Sequence, residues 1–176
     1  MNANAVVMDE KEISRSMKRL AHEIIENVGD LKSLVLIGII SRGVQLAQRI
    51  AKEIKKAEAI KIPVGQIDIA LYRDDLSTKG NYVTVRETNI PCDINDKVVV
   101  LVDDVLFHGR TIRAALDGLN DYGRPKITRL AVLIDRGHRE LPIQADFVGK
   151  TIPSSKYELV EVKLLETDGD DMVIIK

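Results

Sequence analysis

The run from Val98 to Thr111 restricts the fold more than any other stretch of this chain. Val98, Val99, Val100, Leu101 and Val102 form an apolar, mostly β-branched run that reads as a buried strand. It ends in two adjacent carboxylates, Asp103 and Asp104. Val105, Leu106, Phe107, His108, Gly109 and Arg110 make a short glycine-bearing loop, and an amphipathic helix opens at Thr111. Two carboxylates side by side repel each other, so the pair calls for a cation or hydroxyl partner. Carboxylates accept hydrogen bonds from a diol or hold Mg²⁺ directly or through water. Loop amides and the positive end of a helix attract phosphate. The motif therefore points to a ligand that carries both hydroxyls and phosphate.

Neighbouring stretches place this motif in an α/β chain. Asp9 and Glu12 form a capping-box pattern, followed by a helix with Ile13, Met17, Leu20 and Ile24 on one side. Arg15, Lys18, Arg19 and His22 fall on the other side. Leu34 to Ile40 reads as a strand, and Gly43 opens a helix with Ala47, Ile50, Ala51 and Ile54 inward. Ile67 to Tyr72 reads as another strand. The helix after the acidic motif has Ile112, Ala115, Leu116, Leu119 and Tyr122 as its core stripe, with Gly123 and Pro125 as its stop. Leu130 to Ile134, Phe147-Val148, Leu159 to Val162 and Val173 to Ile175 follow as strands. Strands alternating with helices predict a central, mostly parallel sheet flanked by helices on both faces. Residues 73–97 lack periodicity. A loop of that length inside a compact domain predicts a mobile lid, with a short hairpin around Tyr82 to Val85.

In such sheets ligands bind at the carboxyl ends of strands, where three clusters gather. Besides the acidic loop, Ser41-Arg42-Gly43 offers amides, a hydroxyl and a guanidinium fork suited to phosphate. Asp135 to Arg139 brings two further arginines, and Arg73 opens the long loop, either as part of a charged turn or as a lid arginine. No dinucleotide fingerprint occurs. Gly38 and Gly43 have P-loop spacing, but Val44-Gln45 stand where Lys-Ser/Thr is required. No Cys/His set has zinc-ligand spacing.

Composition sets outer limits. The 176 residues suit a single domain, 1–176, and the net charge of −1 leaves no global field for nucleic acid or membrane. Charge is segregated locally. Arg124 to Lys156 holds seven Arg/Lys against three Asp/Glu, whereas Glu158 to Lys176 holds two against six. A local anion-binding surface follows from that bias. The single Cys92 rules out an intrachain disulfide and fits a reducing compartment. The short mixed segment before Asp9 and the brevity of every apolar run predict a soluble cytoplasmic protein with no membrane partner.

Taken together these residues resemble the type I phosphoribosyltransferases, and more closely the PyrR family of pyrimidine-operon attenuation regulators with uracil phosphoribosyltransferase activity. The resemblance rests on R-L-A-H-E at Arg19 to Glu23, G-I-I-S-R-G at Gly38 to Gly43 and L-Y-R-D-D-L-S at Leu71 to Ser77. It continues through the acidic loop, L-I-D-R-G-H-R-E-L-P-I at Leu133 to Ile143 and V-G-K-T-I-P-S-S at Val148 to Ser155. It implies the type I phosphoribosyltransferase fold with a small hood. It also implies conversion of uracil and 5-phosphoribosyl diphosphate to UMP and diphosphate, with Mg²⁺ near Asp103 and Asp104. The stretch Val99 to Thr111 would bind 5-phosphoribosyl diphosphate. Asp103, Asp104 and Arg73 would serve catalysis, Ser41, Arg42 and Gly43 the diphosphate, and Arg136 and Val160 the nucleotide. Arg19, His22, Arg139 and Lys150 would contact pyrimidine-operon leader mRNA, to promote attenuation when uridine nucleotides abound, and the protein would form a homodimer or higher homo-oligomer. The chain departs from the family pattern at Phe107-His108, where Tyr-Thr is common, at Lys18 in place of threonine and at Gln144 in place of arginine. Enzyme-only and RNA-binding-only readings remain open at this level.

Overall fold

Five parallel strands carry the two longest apolar runs at their centre. A computed structural model describes residues 5–73 and 85–176. In chain order the elements are β1 (Ala5–Met8), α1 (Glu10–Val28), β2 (Leu34–Ile39), α2 (Arg42–Glu58), β3 (Val64–Ile67), β4 (Val98–Leu106) and α3 (Arg110–Leu119). They continue with β5 (Ile127–Asp135), β6 (Phe147–Thr151), β7 (Val160–Lys163), the single-turn α4 (Leu165–Asp168) and β8 (Met172–Ile175). The main sheet has the order β3-β2-β4-β5-β6, all parallel. A second, antiparallel sheet of order β1-β8-β7 forms the hood.

Successive residues of a strand face opposite sides, and both sides of this sheet are covered. Leu34, Leu36, Val100 and Val102 pack toward one core with the buried stripes of α1 and α2, Ile13, Leu20, Ile24, Leu46 and Ile50 among them. Val35, Ile37, Val99 and Leu101 pack toward the other core with Ile112, Ala115 and Leu119 of α3. Each such side chain contributes about 1.5–3 kcal/mol by leaving water. This is why the runs are continuous rather than alternating. Helix α1 starts where expected: Asp9 Oδ1 accepts from Glu12 N at 2.8 Å, and Glu12 Oε2 accepts from Asp9 N at 2.9 Å.

Several expectations are corrected. The segment Ile67 to Tyr72 is not a strand. β3 begins earlier, at Val64, and ends at Ile67. Asp68 Oδ1 then accepts from Ala70 N at 2.9 Å, and this side-chain bond turns the backbone into a 3₁₀ turn over Ala70–Tyr72. Helix α3 stops at Leu119, so Tyr122 lies beyond it and is exposed, as is Leu116. Of the expected loop 73–97, residues 74–84 lie outside the described residues, and the part from 85 onward packs on the sheet. Asn89 pairs with Gln66 of β3 through two 2.9 Å backbone bonds, and Ile94 is fully buried. Residues 85–97 thus run back along the sheet edge, while the hairpin expected around Tyr82 to Val85 lies largely outside the described residues. Among the described residues no helix is long and apolar enough to cross a membrane.

Candidate active site

Strand register creates the site. The last β2–β4 partners are Gly38 and Val102, but β4 continues beside β5 until Leu106 meets Asp135. Asp103 and Asp104 therefore belong to strand β4, on the part that outruns β2. The space beyond the end of β2 is a cavity of about 380 Å³. Ser41, Arg42, Asp68, Arg73, Asp103, Asp104 and Thr111 line it, so three separate sequence clusters converge there. Two glycines allow the approach. A Cβ on Gly43 would fall inside the contact radius of the Val102 carbonyl oxygen, and one on Gly38 would strike Val44 and the Gly43 carbonyl. Only residues without a side chain let the start of α2 press against β2 and β4 this closely.

The two aspartates differ. Asp103 is 6% exposed, and its Oδ1 accepts from Asp104 N at 2.9 Å. Burial pushes its carboxyl well above the ordinary range, and the neighbouring Asp104 carboxylate adds to the rise. Asp104 is half-buried, and its Oδ1 accepts from Val105 N at 2.8 Å. Each aspartate thus has one oxygen committed to a backbone amide.

Two helix N-termini frame the same space. In α1 the Asp9 side chain satisfies a first-turn amide, but the N-cap residues of α2 and α3, Ser41 and Gly109, make no side-chain capping bond. Helices whose first amides lack such a cap present N–H donors and a partial positive charge to an anion. Gly109 adopts φ +94°, which turns the chain into α3. A second hollow of about 180 Å³ follows the loop itself, lined by Arg73 and residues 105–112. The loop is propped from behind. His108 O accepts from Glu140 N at 3.0 Å, and Phe107 O accepts from Arg139 Nη1 at 3.0 Å.

Phe107 sits in a cationic and aromatic cluster. The Arg136 guanidinium carbon lies 4.0 Å from the Phe107 ring centroid, and the His108 ring stacks on it at 3.7 Å. Arg136 is 5% exposed and donates to the carbonyls of Ser155 at 2.7 Å and Glu158 at 2.9 Å. Burial draws its pKa below the usual guanidinium value. Val160 contributes a buried side chain to the core between sheet and hood.

The expected RNA contacts separate into two groups. Arg19 lies on the exposed face of α1, donates to Val148 O and Gly149 O of the edge strand β6, and pairs with Glu23 at 2.8 Å. Lys150 of β6 donates to Val7 O at 2.7 Å, and His22 lies one turn beyond Arg19 on the same helix face. These three share the surface where α1 crosses the sheet edge. Arg139 does not join them. Its guanidinium bonds Ile143 O at 2.8 Å, Phe107 O and Asp135 Oδ2 at 2.6 Å, all within the active-site loops. The basic stretch 124–156 likewise divides, with Arg136 turned inward and Arg129 paired with Asp146 at 3.0 Å.

Sequence reading missed Asp68, Glu140 and Asp168. Asp68 grips both limbs of the long loop, accepting from Ala70 N and, at 2.5 Å, from Arg86 N. With Ile67 to Tyr72 read as a strand, Asp68 fell inside it and gave no local signal. Glu140 accepts from Arg110 Nε at 2.9 Å. Asp168 pairs with Arg42 across 126 positions, which no local pattern announces.

The donor set suits Mg²⁺ of one kind only. Among the described residues no cluster of three or more His, Cys, Asp or Glu could hold a metal by itself. Two carboxylates beside helix N-termini without side-chain caps suit an ion that keeps its waters and shares ligand phosphates, the usual habit of Mg²⁺.

Comparison with known proteins agrees with this geometry. The phosphoribosyl transferase domain family matches residues 7–167. A bifunctional protein PyrR of Chloroflexus aurantiacus is 60% identical over 169 residues, 96% of this chain and 93% of that protein. One of Clostridioides difficile is 54% identical over 176 residues, 100% of this chain and 99% of that protein. Among solved structures, a hypoxanthine-guanine phosphoribosyltransferase of Bacillus anthracis superposes with a TM-score of 0.73 at 20% identity, over 98% of this chain and 96% of that one. A hypoxanthine phosphoribosyltransferase of Trypanosoma cruzi gives 0.75 at 19%, over 98% and 91%. At such identities the structural likeness establishes the fold alone, the type I phosphoribosyltransferase fold.

Proposed function

The chain belongs to the phosphoribosyltransferase family and, within it, to the PyrR proteins, and on that footing we propose that it both makes UMP and regulates transcription. As an enzyme it converts uracil and 5-phosphoribosyl diphosphate to UMP and diphosphate. The observation that carries this reading is the single cavity shared by two helix N-termini without side-chain caps and an acidic pair. A sugar with a phosphate at one end, a diphosphate at the other and a diol between them matches that arrangement.

Each group then has a task. The amides opening α3 and the Thr111 hydroxyl take the 5-phosphate. Asp103 and Asp104 accept from the ribose hydroxyls through the oxygens that face the cavity. Ser41, Arg42 and the amides opening α2 take the diphosphate, and Arg73 adds positive charge from the cavity wall. As uracil N1 bonds the anomeric carbon, the bond to diphosphate breaks with its electron pair leaving on diphosphate, and the N1 proton passes to that diphosphate or to water. Positive charge grows at that carbon, as in other glycosyl transfers, and nearby carboxylates favour it. Mg²⁺, held by Asp103, Asp104 and the substrate, would neutralise the leaving group. Phe107 and Arg136 form the wall beside which the base would lie. No acid occupies the Phe107 position to serve a purine nitrogen, so uracil is the expected base.

The second activity is nucleotide-dependent binding of pyrimidine-operon leader mRNA, through Arg19, His22 and Lys150 where α1 meets β6. Phosphate contacts of this kind give salt-sensitive affinity. We include in the reading a cytoplasmic location and self-association into a dimer or larger assembly, which would multiply weak RNA contacts. Two assays test it. UMP should form from uracil and 5-phosphoribosyl diphosphate, with hypoxanthine left unused. A leader transcript should shift in a gel more strongly with UMP present. Robust hypoxanthine turnover would overturn the pyrimidine assignment, and RNA affinity indifferent to UMP would overturn the regulatory one.

A further inference from the structure

The hood is fastened to α2 by two arginines seven residues apart on one helix face. Arg49, which does not line the cavity, is gripped by two acids. Its Nε and Nη2 donate to Glu166 at 2.9 and 2.5 Å, and its Nη1 and Nη2 donate to Asp171 at 2.8 and 2.7 Å. Arg42, which lines the cavity, is gripped by Asp168: Nε to Oδ2 at 3.0 Å and Nη2 to Oδ1 at 2.7 Å. The Asp168 carboxylate is itself held in place. Its Oδ2 also accepts from Leu164 N at 2.9 Å and from Thr167 Oγ1 at 2.7 Å. The bonds that Arg49 makes do not involve Asp168, so the hood keeps that attachment when the Arg42–Asp168 pair is removed.

We propose that Asp168 is a positioning residue for the diphosphate end of the substrate, acting through Arg42. The bidentate pair fixes the Nε–Nη2 edge of the guanidinium and leaves its Nη1 corner for an anion in the cavity. This rests on the functional reading above and deepens it, because it makes the diphosphate subsite a joint product of the main sheet and the hood. Charge alone predicts the opposite. Asp168 partly cancels Arg42, so an unpositioned arginine would attract diphosphate more strongly without it. Pre-organisation predicts loss: a long side chain that must be ordered at each binding event binds less tightly. The rigid hold on the Asp168 carboxylate favours the second outcome.

The experiment uses the full chain. Initial rates are measured for wild type, D168N, D168A, R42Q and the double variant R42Q/D168N, alongside calorimetry with inorganic diphosphate and Mg²⁺. The expected result is a rise in KM for 5-phosphoribosyl diphosphate of about tenfold in D168N and D168A. KM for uracil should stay within about twofold, and diphosphate affinity should fall in parallel with the first change. D168N should add nothing once Arg42 is replaced. E166Q, which touches Arg49 instead, should leave both KM values unchanged and controls for general loosening of the hood. Unchanged kinetics, tighter diphosphate binding by D168N, or fully additive losses in the double variant would overturn the proposal. If wild type makes no UMP, the functional reading fails separately. The calorimetric comparison of wild type with D168N still decides whether Asp168 positions Arg42 for diphosphate.

Discussion

Arg139 Nη1 donates to the backbone carbonyl of Phe107 across 3.0 Å, while its Nη2 holds Asp135 at 2.6 Å and its Nε holds Ile143 O at 2.8 Å. One guanidinium thereby ties the end of β5, the strap 139–143 and the phosphate loop into a single unit. Turning the Phe107 carbonyl backward leaves the following amides free for the 5-phosphate that the proposed function places there. R139Q should therefore raise KM for 5-phosphoribosyl diphosphate by about tenfold or more. R139K should recover little, because a point charge cannot reach three acceptors at once. Steady-state kinetics check this. Intact kinetics in R139Q would mean that Arg139 serves some other surface.

Asp103 trades stability for function. A buried carboxylate beside a second carboxylate is costly when ionised, and burial is the larger part of that cost. D103N keeps the shape and the acceptor for Asp104 N but removes the charge. The ligand-free variant should melt higher, by about 2–4 °C for each kcal/mol recovered. If Asp103 accepts from the ribose hydroxyls as proposed, UMP formation should fall by about 100-fold or more. Calorimetric melting and an initial-rate assay together check both halves, and a lower melting point would contradict the account.

Gly43 is required for contact between backbones rather than for flexibility. Its Cβ would collide with the Val102 carbonyl, which cannot rotate away. G43A should lose about 2–4 kcal/mol in urea unfolding, as overpacking against a fixed strand does. G29A is the contrast. Gly29 has φ +75° and open space around a Cβ, so its substitution carries backbone strain alone, about 1–3 kcal/mol, and no collision. A G43A loss below about 1 kcal/mol would show that close approach does not govern Gly43.

Acid should loosen the hood before the main sheet. Arg49 lowers the pKa of Glu166, and Arg42 lowers that of Asp168, each chiefly by hydrogen bonding. A carboxyl with a lower pKa folded than unfolded adds stability above its ordinary range, and that stability is lost as pH falls through it. The pairs are partly exposed, so each contributes only about 0–1 kcal/mol. Amide exchange of β7 and β8 should therefore accelerate below about pH 5, ahead of β4 and β5. E166Q/D168N should exchange faster at neutral pH and respond less to acid. Simultaneous opening of both sheets would count against this.

Local chemistry made much of this protein legible in its sequence. The capping box at Asp9 and Glu12, the two apolar runs, the acidic pair and the glycine before α3 each act over a few residues, and each predicted element formed. So did the pairing of Ser41-Arg42-Gly43 with the acidic loop, because parallel α/β sheets gather their loops at one end. The errors arose where a long-range contact outweighed a local pattern. Ile67 to Tyr72 looked like a strand until the Asp68 side chain bent it. Strand β1 went unnoticed because its partner, β8, lies at the far end of the chain. For Arg139 the sequence left open an anion contact or a nucleic-acid surface, because its acceptors are mostly backbone carbonyls, which sequence does not display. Residue types and their short spacing determined the class of ligand. Tertiary structure alone decided that Asp103 and Asp104 differ in burial, that Arg42 is held by Asp168, and which arginines of the basic stretch reach solvent, because burial and distant pairing are properties of packed surfaces and not of neighbours along the chain.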